Sequence, residues 1–195
     1  MILPIVAYGD SVLRKKAKPI TEAYPDLKDL EKNMYETMYG ASGIGLAAPQ
    51  IGLPIRMFVV DASPLADDEA FEDDESKALS AFKKTFVNAT ITDETGDVWS
   101  YSEGCLSIPG ISEDVFRKPK LTITYQDTDF NSYTETYEGV IARIIQHEYD
   151  HIEGILFTDK LSSLKKRLIK GKLANISKGK VDADYRMRFP LKKGR

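Results

Sequence analysis

The stretch GVIARIIQHEYDHIEGILF, residues 139–157, contains the only two histidines of the 195-residue chain, His147 and His151. Its apolar residues recur at steps of three and four, which predicts a helix with one buried face. Gly139 and Gly154 bracket this predicted helix. Residues four apart on a helix lie one turn from each other on the same side, so both imidazoles can point at one ion.

The two histidines and the glutamate between them form an HExxH pattern. In this pattern the histidines bind a metal while Glu148 reaches a molecule bound to that metal. The alternative is a pair of surface histidines on an amphipathic helix. The metal site is favoured because HExxH lies on the apolar face, where a buried glutamate is costly unless it has a polar partner or task.

A metal held by two histidines in a catalytic site has a third protein ligand and an open fourth position. Phe157 stands where the third histidine of a metzincin would be, although Gly154 is in register. No Asp or Glu occurs between Lys160 and Val181 to serve as a thermolysin-like ligand. The remaining candidate is the single cysteine, Cys105. A lone cysteine is often a small core residue, but a thiolate beside imidazoles is a good ligand for Zn²⁺ or Fe²⁺.

Three segments, taken in order, resemble the three sequence motifs of the peptide deformylase family. They are GIGLAAPQIG at 43–52, EGCLSIPG at 103–110 and QHEYDHIEG at 146–154. The resemblance extends from the first residues to about residue 162. It implies an enzyme that removes the formyl group from the N-terminal formyl-methionine of newly made bacterial and organellar proteins, so the implied substrate is an N-formyl-methionyl peptide.

The resemblance also implies a role for each matching residue. The metal ligands would be Cys105, His147 and His151, and Glu148 would be the general base. The oxyanion would be stabilised by the Gln50 side-chain amide and the backbone N–H of Leu106. The implied substrate-binding residues are Gly43, Ile44, Gly45, Tyr101, Glu103, Gly104, Val140 and Ile144.

The implied cofactor is one divalent metal ion per chain. Fe²⁺ is the working ion that the resemblance implies, while the Cys-His-His donor set also suits Zn²⁺, Ni²⁺ or Co²⁺ in a purified sample. A nucleotide cofactor is not expected. The GxGxxA within residues 43–48 follows a helical pattern and runs into Pro49, whereas a dinucleotide-binding fingerprint follows a strand and opens a helix.

The length and the 42% hydrophobic content predict one well-buried domain. Several strand patterns precede the HExxH helix, so the predicted fold is α+β, with mixed and antiparallel β-sheets packed around that helix. We expect a single catalytic domain at 1–162 and a basic C-terminal extension at 163–195. An acidic insertion at about 62–80 carries seven acids between Asp67 and Glu75, which predicts a mobile or partly disordered surface loop.

The formal net charge of −3 hides an asymmetry. From Lys160 to the end, thirteen Lys and Arg residues face only two Asp residues. This basic segment could contact the ribosome or RNA, and a solvated basic tail is the simpler alternative. We expect a helix after residue 161 that breaks at Gly171, and DYRMRF could be a terminal strand or a free end.

The chain is expected in the cytoplasm, with no membrane contact. A single cysteine excludes an internal disulfide, which fits a reducing compartment. MILPIVAYGD lacks the basic region of a signal peptide, and no apolar run reaches membrane-spanning length.

Other elements are predicted from turn signals and apolar spacing. The predicted helices cover 10–17 and 25–40, and the predicted strands are RMFVVD, FKKTFVNATI, DVWSYSE, one long strand near DVFRKPKLTITYQD, and SYTETYE.

Three functional hypotheses remain at this point: a formyl-amide hydrolase, a zincin-type endopeptidase whose third ligand is not Cys105, and an RNA-binding protein whose histidines are structural. The first and third are compatible, because the substrate emerges from the ribosome.

Overall fold

The computed structural model of the protein describes residues 1–190, so the end of the predicted basic extension, 191–195, lies outside the described residues. Within residues 1–190 the α-helices are α1 (Leu27–Gly40), α2 (Asp73–Ser80), α3 (Gly139–Ile152) and α4 (Ser163–Ser177). The strands are β1 (Ile5–Val6), β2 (Gly45–Ala47), β3 (Met57–Asp61), β4 (Lys83–Thr95), β5 (Trp99–Cys105), β6 (Ile108–Arg117), β7 (Lys120–Gln126), β8 (Ser132–Glu138) and β9 (Met187–Arg188).

The strands form three sheets. The largest is antiparallel, with the order β2-β3-β4-β7-β8, so β2 lies at one edge. Strands β5 and β6 form an antiparallel pair, and β1 pairs with β9 in parallel. The predicted α+β class is therefore confirmed.

Helix α3 packs its apolar side against the five-stranded sheet. Ala142 and Ile145 are fully buried, in one hydrophobic cluster with Phe58 and Phe86 of the sheet. The helix ends before Gly154, which has a φ of +75°. A Cβ at Gly154 would lie 2.8 Å from the backbone oxygen of Arg14, so only glycine fits at this position.

The β5–β6 pair ends in a tight irregular turn. Regular pairing runs as far as Gly104 with Ser112, and the register then shifts so that Cys105 pairs with Ile108. Bulges of this kind change the direction in which a side chain points. The turn places Cys105 at the end of β5, beside α3.

The acidic segment was predicted as a mobile or partly disordered surface loop, and the loop assignment is wrong for its second half. It contains helix α2, whose first turn holds Asp73, Asp74 and Glu75. Carboxylates are favourable at a helix N-terminus because they face the positive end of the helix dipole. Leu79 is fully buried in the core and anchors the helix.

The predicted break at Gly171 is also wrong, because α4 runs through it without interruption. The hydroxyl of Ser162 caps the first turn, and Ile169, Leu173 and Ile176 are buried. A glycine inside a helix lowers helix stability by about 1 kcal/mol relative to alanine. The burial of these three side chains stabilises α4 by more than this amount.

Two further predictions differ in detail. The long strand near residues 114–127 is two strands, β6 and β7, separated at Pro119, which has no N–H to continue the ladder. The helix predicted at 10–17 is a short 3₁₀ helix, Ser11–Arg14, capped by Asp10. Among the described residues, no helix is both long enough and apolar enough to span a bilayer.

Candidate metal centre

Cys105 from the end of β5 meets His147 and His151 from α3. One ligand atom from each of the three lies within 4.8 Å of the other two, and Cys105 Sγ is 3.3 Å from His151 Nε2. A tetrahedral ion with Zn–S and Zn–N bonds of ordinary length holds its ligand atoms roughly 3.5 Å apart. The donor set and its spacing therefore fit a divalent metal, and the predicted trio is brought together.

The protonation of the two histidines differs. Burial, followed by the nearby charge of His147, holds the pKa of His151 well below its usual value, so its imidazole is in the neutral form that binds a metal. Burial would also lower the pKa of His147, but hydrogen bonds to Cys105 and Glu103 raise it well above the usual value. A metal ion would replace the proton shared with Cys105.

Glu103 fixes the orientation of His147. Its Oε2 atom lies 2.9 Å from His147 Nδ1, which leaves Nε2 as the nitrogen available to a metal. Glu103 is 5% exposed and also accepts hydrogen bonds from Arg117 Nε and Nη2, at 2.7 and 2.9 Å, and from Arg143 Nη1 at 3.0 Å. Arg117 Nη1 also donates a hydrogen bond to Asp150 Oδ2 at 2.6 Å.

These contacts engage both oxygens of Glu103, and its role as a substrate contact stays a prediction. Burial would raise the pKa of Glu103, but hydrogen bonds from Arg117 and His147 hold it far below its usual value. Glu103 is therefore an ionised support for His147, although it also borders the cavity.

Glu148 lies beside the three ligand residues and is 4% exposed. Burial raises its pKa to about 7. Within the described residues, its Oε2 atom has no hydrogen-bond partner. Strand β2 passes close by, and a Cβ on Gly45 would lie 2.7 Å from Glu148 Cδ. Only glycine at position 45 leaves this carboxylate its space.

Gln50 and Leu106 lie on the sulfur side of the centre. Gln50 is 1% exposed, and its Oε1 accepts the N–H of Ala47 at 2.8 Å. This contact turns Nε2 toward Cys105 Sγ at 3.5 Å and Ser107 Oγ at 3.4 Å. Leu106 directly follows Cys105, and its carbonyl accepts the hydroxyl of Tyr185 at 2.8 Å.

A cavity of about 580 Å³ opens onto these residues. His147, Glu148, Gln50, Cys105 and Leu106 line it. The predicted substrate-binding residues that also line it are Gly43, Ile44, Gly45, Tyr101, Glu103, Gly104 and Ile144.

Val140 is the exception among these residues, and its role as a substrate-binding residue stays a prediction. It is 3% exposed, packs in the core cluster of the five-stranded sheet, and is absent from the lining of this cavity as described over residues 1–190. Helical spacing alone could not tell which apolar residues of α3 face the core and which face the cavity, because both lie along its apolar side.

Several lining residues were not found from the sequence. Leu65 comes from the short 3₁₀ helix Ser63–Leu65 at the start of the acidic segment, and residues 182–185 come from the segment after α4. Arg143 lines the cavity but is 2% exposed, and its guanidinium stacks 4.7 Å from the ring of Trp99. No local sequence pattern predicts that Leu65 and residues 182–185 line the cavity, because long-range packing brings them there.

An α+β fold with a buried Cys-His-His cluster and an adjacent glutamate defines a metal-dependent hydrolase of the HExxH type. The family model described as polypeptide deformylase matches residues 2–167. The chain belongs to this family. It is a metal-dependent enzyme that removes N-formyl groups from nascent polypeptides.

Individual relatives agree with this assignment. The chain is 64% identical over 190 residues to a peptide deformylase of Christiangramia forsetii, with 97% of each chain covered. It is 62% identical over 196 residues to a peptide deformylase of Flavobacterium johnsoniae, with both chains fully covered. Among solved structures, a peptide deformylase from Legionella pneumophila is similar with a TM-score of 0.76 at 36% identity, covering 91% of this chain and 96% of that one.

Proposed function

We propose that Cys105, His147 and His151 hold the metal and that Glu148 is the general base for deformylation of formyl-methionyl peptides. The observation that carries this proposal is the convergence of the three ligand atoms beside a buried carboxylate that has one unpartnered oxygen. The same convergence supports the finer fold proposal that the sheets are arranged around the HExxH helix.

A divalent ion at this site would supply an activated water and would polarise the formyl oxygen. Glu148 takes a proton from the attacking water and passes it to the departing amine nitrogen. A pKa of about 7 suits a group that must both accept and donate a proton near neutral pH.

The negative charge that develops on the formyl oxygen is stabilised by two donors of this chain, the Gln50 side-chain amide and the backbone N–H of Leu106. In support, Gln50 Nε2 is already directed toward Cys105, the residue that Leu106 follows. A thiolate ligand leaves less positive charge on a metal than a third histidine would, so these donors carry more of the stabilisation.

The substrate backbone binds along β2. Among residues 1–190 this strand pairs with β3 on one side and with no strand on the other, so its other edge can pair with an extended peptide. Gly45 is the first residue of β2, and a Cβ there would meet the Glu148 carboxylate. The methionine side chain enters the apolar part of the cavity, which Ile44, Tyr101 and Ile144 line.

The metal is proposed to be Fe²⁺ in the cell, with Zn²⁺, Ni²⁺ or Co²⁺ able to replace it during purification. The enzyme is proposed to act in the cytoplasm. Elemental analysis after anaerobic and aerobic purification tests the metal assignment. Iron that is present anaerobically and lost in air supports it, while zinc in both preparations contradicts it.

The catalytic assignment is tested by formate release from a formyl-methionyl peptide. Glu148→Ala should retain the metal and lose about 10²- to 10⁴-fold in kcat, the usual share of a general base. Cys105→Ser should lose metal binding. Unchanged turnover in Glu148→Ala would refute the base, and full metal occupancy with activity in Cys105→Ser would support the endopeptidase-type alternative.

For the domain organisation, we propose a catalytic unit at 1–162 that includes the 62–80 insertion, followed by the basic extension 163–195. We further propose that the extension contacts the ribosome through the basic face of α4. Lys166, Arg167, Lys170 and Lys172 are exposed on this helix. Lys166→Glu with Lys170→Glu should weaken salt-dependent cosedimentation with ribosomes, whereas Lys15→Glu with Lys32→Glu, an equal charge change elsewhere, should not.

A further inference from the structure

The turn that carries Cys105 is contacted by a residue from the far end of the chain. Tyr185 lies in the segment after α4, in the basic extension and beyond the proposed catalytic unit at 1–162. Its hydroxyl donates a hydrogen bond to the backbone carbonyl of Leu106 at 2.8 Å, and both residues line the cavity. Leu106 is the residue whose N–H is proposed to stabilise the oxyanion, so this contact reaches the catalytic machinery.

The segment around Tyr185 is anchored well enough to support another part of the protein. Strand β9 pairs with β1, and Val181, Met187 and Phe189 pack against the core cluster that α4 and β6 share. Tyr185 itself is half-buried and packs against the core cluster of α1 and β3. The position of the Tyr185 hydroxyl is therefore fixed by packing on both sides of it in the sequence and at its own ring.

The turn after Cys105 is held at two consecutive carbonyls. Tyr185 holds the carbonyl of Leu106, and the backbone N–H of Tyr8, just after β1, donates to the carbonyl of Ser107 at 2.8 Å. The N–H and the carbonyl of Leu106 belong to adjacent rigid peptide planes that meet at its Cα. Holding the carbonyl therefore limits the rotations that would turn the N–H away from the cavity.

The same segment also contacts the turn next to the second proposed oxyanion donor. Gln50 lies in the 3₁₀ helix Ala48–Ile51, which ends at Gly52. A Cβ on Gly52 would lie 2.5 Å from Nη2 of Arg188, so the guanidinium of this β9 residue lies directly against that turn. The C-terminal segment thus packs beside both groups that are proposed to bind the formyl oxygen.

We propose that Tyr185 is a positioning residue for deformylation, because its hydrogen bond to the Leu106 carbonyl keeps the Leu106 N–H aligned for the formyl oxygen. This inference rests on the proposed function, in which that N–H stabilises the oxyanion. A donor of this kind is effective when it is aligned before the charge develops, and a small displacement lowers the rate without removing the donor. Tyr185 acts through Leu106, so its hydroxyl should affect turnover more than substrate binding.

Tyr185→Phe tests the hydrogen bond alone, because it removes the hydroxyl and keeps the ring. A neutral hydrogen bond makes a modest net contribution, so kcat for a formyl-methionyl peptide should fall about fivefold, which corresponds to about 1 kcal/mol. KM and the metal content per chain should stay within about twofold of the wild-type values, since the substrate contacts and the three ligand residues are unchanged.

The matched control is Tyr133→Phe on β8. Tyr133 is not among the residues that line the cavity within 1–190, and its hydroxyl donates one hydrogen bond, to Asp127 Oδ2 at 2.9 Å. This variant should keep the wild-type kcat. Urea denaturation of both variants shows whether they lose similar stability, in which case a fall in kcat confined to Tyr185→Phe comes from positioning and not from general destabilisation.

Amide NMR spectra of the Zn²⁺-loaded enzyme without substrate give a readout that does not depend on turnover. The N–H of Ser107 shares a peptide plane with the Leu106 carbonyl. The amide signals of Leu106 and Ser107 should therefore shift in Tyr185→Phe and stay in place in Tyr133→Phe.

A wild-type kcat in Tyr185→Phe would overturn the inference, as would unchanged amide signals of Leu106 and Ser107. A raised KM with unchanged kcat would also overturn it, because the hydroxyl would then bind the substrate instead of positioning Leu106. Failure of the wild-type enzyme to release formate from the formyl-methionyl peptide would instead contradict the proposed function, so the two failures are distinguishable.

Discussion

Glu103 is the residue where the support of the metal centre can be tested most directly. Its carboxylate is shared by His147, Arg117 and Arg143, and it is almost completely buried. Glu103→Gln retains the shape of the side chain but removes its charge. It also replaces one acceptor oxygen by a donor NH₂ group, so at least one arginine or histidine N–H loses its acceptor.

Two effects follow from this substitution. Leaving a buried arginine without its counter-charge costs about 3–5 kcal/mol in the free energy of unfolding, because the remaining charge is desolvated and unpaired. Loss of the hydrogen bond to His147 Nδ1 leaves the imidazole less firmly oriented, and substitutions of this kind weaken metal binding by about 10- to 100-fold.

Stability is measured by urea denaturation of the metal-free protein, and metal affinity by competition with a chelator at constant pH. The control is Glu113→Gln. Glu113 is the cross-strand neighbour of Glu103 and forms its ion pair with Lys165, with its side chain 24% exposed. A pair at such a partly exposed position contributes about 1 kcal/mol or less, and this variant should bind metal as the wild type does. The reasoning about Glu103 is refuted if Glu103→Gln matches this control in both measurements.

Three further predictions concern other parts of the chain. Gly45→Ala should lower kcat by about 100-fold or more, because the new Cβ would displace the Glu148 carboxylate; a formate-release assay with wild-type-like kcat would contradict this. Gly171→Ala, at an exposed helical position where a Cβ meets nothing within 4 Å, should instead stabilise the protein by about 1 kcal/mol in urea denaturation without changing activity. Burial would raise the pKa of Asp159, but a hydrogen bond from Arg14 holds it below the ordinary value of 3.8. Asp159 therefore stabilises the fold above about pH 4. In urea denaturation, Asp159→Asn should lower the free energy of unfolding by about 1 kcal/mol at pH 7, and this difference should shrink as the pH falls below 4. A constant difference from pH 7 to pH 3 would argue against this linkage.

The helix at α3 and its chemistry could be predicted from local spacing. A periodicity of three to four residues encodes a buried face, and two histidines four apart share that face whatever the rest of the chain does. Local patterns likewise located α1 and the strand β3, and the order of three motifs indicated the family.

The errors arose where distant packing competes with local preference. The acidic run looked like a loop throughout, but burial of Leu79 and acids in the first turn of α2 make its second half helical. Gly171 looked like a break, but the buried face of α4 carries the helix through it. At Gly171, contacts remote in sequence outweigh a local preference of about 1 kcal/mol.

The sequence by itself determined which residue types could form the centre, namely one thiol, two imidazoles and one carboxylate, because each occurs in a pattern that limits its alternatives. Only the tertiary structure decided how they are supported and what surrounds them. The ion pair of Glu103 with Arg117, the passage of β2 past Glu148 and the tail segment at the cavity wall depend on contacts between residues far apart in the chain. Such contacts leave no periodic trace in the sequence, because they are set by how the sheets, α3 and the C-terminal segment pack together.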